Sequence, residues 1–149
     1  MLNGQEYLNI IKKTTLTSVD LIIQRSSDNK VLLGLRNNKP AKNFWFTPGC
    51  RTYKFEKQYD ALKRLAKNEL GININPNDCK HNGVYDHIYK DNFNNNNFGT
   101  HYVVNCYYLQ INDNIEFKND NQHNKLKWFD KKNIIEDENV HKYVKNYFL

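Results

Sequence analysis

The feature that most constrains this chain is a strand running into a Pro-Gly turn and then a helix. Phe44-Trp45-Phe46-Thr47 is a short aromatic strand closed by Pro48-Gly49, a dipeptide that turns the backbone. Over residues 56–70 the period changes. Tyr59, Leu62, Leu65, Ala66 and Leu70 recur at steps of three and four, while Lys57, Lys63, Lys67 and Asn68 fall mostly elsewhere. That spacing predicts an amphipathic helix, and Gly71 supplies its stop.

Strands surround this unit. Residues 17–24 and 31–35 are β-branched and apolar, and Ser26-Ser27-Asp28-Asn29 between them is a turn signal, so the pair reads as a hairpin. Residues 37–43, with Pro40, are loop. Residues 83–89 and 102–111 are strand-like, the second dense enough in apolar and aromatic side chains for a sheet centre. Residues 92–99 are expected to form a mobile Asn-rich loop, 125–129 a short strand and 139–148 a terminal helix. Strands on both sides of one strong helix, with another helix at the end, argue an α+β fold built as an α/β/α sandwich.

At 149 residues and 39% hydrophobic content the chain suits one domain over 1–149 with its own core. No apolar run reaches the 18 or so residues that span a bilayer. The opening residues lack the basic flank and apolar stretch of a secretory signal, so a cytoplasmic protein with no membrane association is expected. Cys50, Cys79 and Cys106 are an odd number without zinc-ligand spacing, which points to reduced thiols. The net charge of +6 favours anionic ligands. The lysines are scattered rather than aligned, which disfavours nucleic acid. Abundant asparagine is read as compositional drift.

The chemistry concentrates between Gly49 and Ile72. With Cys50 in a glycine slot, Glu56, Arg64, Ala66, Glu69, Gly71 and Ile72 follow in register. The pattern resembles the Nudix box: Gly, five residues, Glu, seven residues, Arg-Glu-apolar-any-Glu-Glu-any-Gly-apolar. The resemblance implies the Nudix fold with a mixed central sheet. Leu65 and Asn68 stand where the full box has glutamates. With Glu69 they are spaced i, i+3 and i+4, one helix face, so one carboxylate remains where three are usual. That suits one Mg²⁺ completed by water and substrate phosphates, with Mn²⁺ as the alternative ion.

Loss of box carboxylates is shared with the GDP-mannose mannosyl hydrolases, which the chain resembles along most of its length. The matching segments include Leu16-Thr17-Ser18-Val19-Asp20, Leu33-Gly34-Leu35-Arg36, Trp45-Phe46-Thr47-Pro48-Gly49, Gly83-Val84-Tyr85-Asp86-His87, Thr100-His101-Tyr102-Val103-Val104 and Asp120-Asn121-Gln122-His123. The resemblance implies a metal held by the Gly49 carbonyl, Glu69 and Gln122, one ion per subunit of a homodimer. It makes His123 the general base. Arg36 and Arg51 steady the departing diphosphate with help from Tyr102, and Asp20 and His87 lie close to the sugar nucleotide. Cys50 replaces a second glycine of that family.

The implied reaction is hydrolysis of GDP-mannose or a related GDP-hexose to GDP and free sugar, by water attack at C1 with inversion. A carbon centre with oxocarbenium character needs a base on the far face of the sugar and a stabilised leaving group. A histidine with a reference pKa of about 6.5 suits the first need. Mg²⁺ with two guanidinium groups suits the second. Two alternatives stand beside it: a pyrophosphatase cutting the phosphoanhydride of a nucleoside diphosphate derivative, and a non-catalytic nucleotide- or RNA-binding domain. Asp20, inside an apolar strand, must have a partner or ligand. Glu56 and Arg64 are read as shaping the loop-helix unit, and the tyrosines and Trp45 as core.

Overall fold

The computed structural model describes residues 2–95, 97–112, 115–117 and 125–149. Its elements run α1 (Gly4–Lys13), β1 (Leu16–Arg25), β2 (Val31–Leu35), β3 (Trp45–Phe46), β4 (Gly49–Arg51), α2 (Gln58–Leu65), β5 (Lys80–Tyr89), β6 (Thr100–Ile111), β7 (Leu126–Phe129), α3 (Lys131–Glu136) and α4 (Lys142–Asn146). A π-helical turn, Ala66–Leu70, extends α2 and ends at Gly71, whose φ of 66° is the left-handed stop.

The strands form one mixed sheet in the order β3-β2-β1-β6-β5, with β4 paired to β1 and β7 to β2. β1 and β6 run parallel over ten residue pairs, from Leu16↔Tyr102 to Arg25↔Ile111. The other pairings are antiparallel. Alternation along β1 sends its side chains into two cores. Val19, Leu21 and Ile23 pack with Ala61, Leu62, Leu65 and Leu70 beneath α2. Ile22 joins Val31, Leu33, Cys106, Ile134, Val140 and Val144 under α3 and α4. Helices thus cover both faces of the sheet, an α/β/α sandwich.

One helix was not expected, and two expectations are corrected. α1 did not stand out in the sequence, although Asn3 and Glu6 form a reciprocal capping box at its start. The expected helix over 139–148 shortens to α4, with α3 a separate helix before it, because Val140 bridges to Trp45 in extended form. Trp45 donates to the Asn139 carbonyl and accepts from the His141 amide, which holds this stretch as a strand-like splice. The Asn-rich loop is also not loose around Asn92. That residue is fully buried; its side chain donates to Asn95 and the Phe98 carbonyl and accepts from the Asn94 and Asn95 amides. Here asparagine has a structural use.

Candidate functional site

The box loop is anchored before it reaches the helix. β4 pairs with β1 in the register Asp20↔Gly49, Val19↔Cys50 and Ser18↔Arg51. A Cβ on Gly49 would collide with the Asp20 carboxylate, so this glycine is required by a close approach. Cys50 needs no such freedom: among the described residues, the non-glycine ones with positive φ are Asn29, Ala41, Asn43 and Phe55. Its side chain packs against the α2 core and its thiol points to the Ala61 carbonyl at 3.7 Å. Burial pushes that thiol up to about 12, so it is an inert packing group.

Glu56 and Arg64 lock the loop to the helix. Arg64 donates Nε to Glu56 Oε2 at 2.8 Å and Nη2 to Oε1 at 2.9 Å, and Nη2 also reaches the Arg51 carbonyl at 2.7 Å. Glu56 accepts from the Tyr53 amide as well. The bidentate pair holds the Glu56 carboxyl below its ordinary range.

A cleft opens where β1, β4, β5 and β6 meet. Asp20, Arg36, Gly49, Arg51, His87 and Tyr102 all line it. Among the described residues, neither Arg36 nor Arg51 forms a salt bridge. Arg36 donates Nε to the Pro40 carbonyl at 2.8 Å and lies over Phe46. Arg51 lies 4.6 Å from the ring centroid of Tyr7 and 5.0 Å from that of Tyr53. Such stacking orients a guanidinium without neutralising it, which leaves the cleft suited to anions.

Tyr7 is a cleft residue that sequence reasoning missed. It comes from α1, shares a 2.9 Å hydrogen bond with the hydroxyl of Tyr102, and stacks on Phe93. The available signal was the capping box, which announces the helix but not which way Tyr7 faces. Burial, with Tyr7 beside it, pushes the Tyr102 phenol far above its ordinary value.

Asp20 has the partners its burial demands. It is 5% exposed, and its Oδ2 accepts from Thr47 at 3.1 Å and from Tyr147 at 2.5 Å. Burial still pushes its pKa up to about 6, against the opposing pull of those hydrogen bonds and of Arg36. His87 is 3% exposed, stacks on Tyr143 at 4.5 Å with rings 3° from parallel, and lies 3.2 Å from the Tyr147 hydroxyl. Burial lowers its pKa to about 4, helped by His141, so His87 is neutral near pH 7.

Residues 14–148 match the NUDIX domain family. The chain belongs to that family. It is 34% identical over 143 residues to the low-salt glycan biosynthesis protein Agl8 of Haloferax volcanii, a match that covers 95% of this chain and 85% of that protein. Its fold is shared with a MutT protein of Methanosarcina mazei Go1, at TM-score 0.76 and 17% identity over 93% of this chain and 94% of that one. A MutT NUDIX hydrolase of Burkholderia pseudomallei superposes with TM-score 0.74 and 22% identity, over 91% and 96% of the two chains. The chain is therefore a Nudix hydrolase by family, and hydrolases of this family use divalent metals such as Mg²⁺.

The box residues present fit such an ion. Gly49 and Glu69 line one cleft together with Arg36 and Thr47, next to the cleft already described. A backbone carbonyl and a carboxylate are hard oxygen donors of the kind Mg²⁺ prefers. Gln122 and His123 lie outside the described residues. The expected single face for positions 65, 68 and 69 is corrected. Leu65 is 1% exposed in the core and Asn68 is exposed, and neither lines the cleft with Glu69. The reason is burial: Leu65 is apolar and sinks into the core with Val19, Leu21 and Leu62, whereas Glu69 lies at the edge of the helix that meets the cleft.

Proposed function

We propose that this Nudix chain hydrolyses GDP-mannose or a related GDP-hexose to GDP and free sugar, by attack of water at the sugar C1 with inversion. One observation carries the reading: Asp20, Arg36, Gly49, Arg51, His87 and Tyr102, drawn from distant parts of the sequence, line a single cleft. The adjoining cleft, which shares Arg36 and Gly49, adds Glu69. The relative Agl8, a glycan biosynthesis protein by its name, supports a substrate from sugar metabolism.

In this reading Arg36 and Arg51 bind the diphosphate and stabilise the charge that gathers on departing GDP. Tyr102, hydrogen-bonded to Tyr7, donates to the same group or orients it. Asp20 and His87 hold the sugar end: the carboxylate accepts from hydroxyls, and the neutral imidazole offers the ring nitrogen that faces the sugar. His123, with its reference pKa near neutrality, takes the proton of the attacking water. Gly49 and Glu69, with Gln122, would hold Mg²⁺ or Mn²⁺, which supplies positive charge beside the diphosphate. Only one box carboxylate lines that site, so repulsion of the leaving diphosphate is reduced. The same resemblance extends the proposal to a cytoplasmic homodimer.

The test is product analysis with GDP-mannose and Mg²⁺ in ¹⁸O-labelled water. GDP plus mannose, with the label in mannose, is the expected outcome. GMP plus mannose 1-phosphate, with the label on phosphorus, replaces this reading with phosphoanhydride cleavage. Binding without turnover makes the domain a non-catalytic nucleotide binder.

A further inference from the structure

We propose that Tyr147 is a positioning residue that locks Asp20 and His87 of the cleft into one arrangement and holds His87 as its Nε2–H tautomer. Tyr147 follows α4 directly, is 7% exposed and does not line the cleft. Its hydroxyl stands behind two residues that do.

The hydrogen-bond chain has one consistent direction. Asp20 Oδ2 accepts from both Thr47 Oγ1 and the Tyr147 hydroxyl. A phenol has one proton, so having given it to Asp20, Tyr147 can only accept from His87 across 3.2 Å. The proton on His87 must then sit on Nε2, which leaves Nδ1 as a lone-pair acceptor. A hydroxyl beside Nδ1 is thereby read as a donor. Cys106 keeps its thiol proton through burial, and a thiol, weak as donor and as acceptor, does not compete with the Asp20 carboxylate for the phenol proton. The His87 ring is clamped by Tyr143 face to face and by Phe46 edge-on at 5.8 Å, so it cannot turn to another partner. The ring of Tyr147 is held edge-on by Tyr85 at 4.8 Å. Orientation thus passes from the end of α4 through one oxygen to two strands of the sheet.

The assay is ¹⁵N–¹H correlation of the histidine rings at pH 7.5 in the full chain, with His87 identified by its loss in His87→Gln. Wild type is expected to show His87 neutral and protonated on Nε2. Tyr147→Phe keeps the ring and removes the hydroxyl, and should convert His87 to a mixture of tautomers. Tyr85→Phe, whose hydroxyl bonds the Asn82 carbonyl instead, should leave the wild-type pattern. A charged His87 or an Nδ1–H tautomer in wild type overturns the proposal without any variant having to fold. An unchanged tautomer in folded Tyr147→Phe also overturns it.

The kinetic arm rests on the GDP-hexose reading: kcat/KM for GDP-mannose should fall about tenfold in Tyr147→Phe, as for loss of one buried hydrogen bond. The tautomer measurement needs no substrate. Wild type with the expected tautomer but no turnover of GDP-mannose overturns the substrate reading and supports the lock.

Discussion

Restoring the missing glutamate at position 65 should damage this protein rather than return it to a fuller Nudix box. Leu65 is 1% exposed, packed with Val19, Leu21, Leu62 and Ala66 beneath α2. Removing a leucine from such a site forfeits about 2–3 kcal/mol of apolar burial. A carboxyl group placed there must remain charged in the core, at several kcal/mol, or accept a proton. Holding glutamate neutral at pH 7 against a reference pKa of about 4.3 costs about 4 kcal/mol. The sum for Leu65→Glu is about 6 kcal/mol, comparable with the whole stability of many domains. Leu65→Met, which keeps volume and polarity, should cost under about 1.5 kcal/mol. Urea unfolding followed by circular dichroism, with and without Mg²⁺, measures both. If Leu65→Glu keeps the wild-type midpoint and binds Mn²⁺ more tightly, then position 65 turns toward the metal cleft and the burial argument fails.

Two other outcomes follow from the geometry. Glu56→Gln should break the bidentate pair with Arg64, which is 23% exposed against 14% for Glu56, and cost about 1–3 kcal/mol, between surface and buried values; equal unfolding midpoints would show that the pair does not support the loop. Acid should also weaken the fold in a defined window. Burial lowers the folded-state pKa of both His87 and His141 to about 4, so the unfolded chain takes up protons from about pH 6.5 downward while the folded chain refuses them until about pH 4. Each histidine's contribution is present above pH 6.5 and lost as pH falls through the window. Asp20, raised to about 6, works the other way by binding a proton in the folded state first. Two histidines against one aspartate leave a net loss of about 3 kcal/mol between pH 6.5 and 4. Urea midpoints that stay level or rise on acidification would contradict this balance.

Much of the site was legible in the chain because its logic is local. The helix stop at Gly71 and the Glu56–Arg64 partnership depend on residues within a short contour of one another, where fixed offsets carry geometric meaning; the turn expected at Pro48-Gly49 is instead a break between strands, with Gly49 opening β4. Resemblance to a subfamily along the wider chain then selected Asp20, Arg36, Arg51, His87 and Tyr102, and all five line one cleft with Gly49. The direction of Leu65 was not legible. Helical arithmetic puts it beside Glu69, but how deep that edge of the helix sinks between core and cleft is set by packing against the sheet.

What the tertiary structure alone decided is which distant side chains share an oxygen or a ring face. The parallel pairing of β1 with β6 sets Asp20 opposite Cys106, and antiparallel β5 sets His87 opposite Tyr102. The splice at Val140 then swings α4 over that face so that Tyr147 reaches Asp20 and His87. Read along the chain, Tyr147 is one more aromatic residue near a helix end and Tyr7 one more on an unnoticed helix. Apolar periodicity reports which face of an element is buried, but a hydrogen bond between residues more than a hundred positions apart depends on how the layers stack.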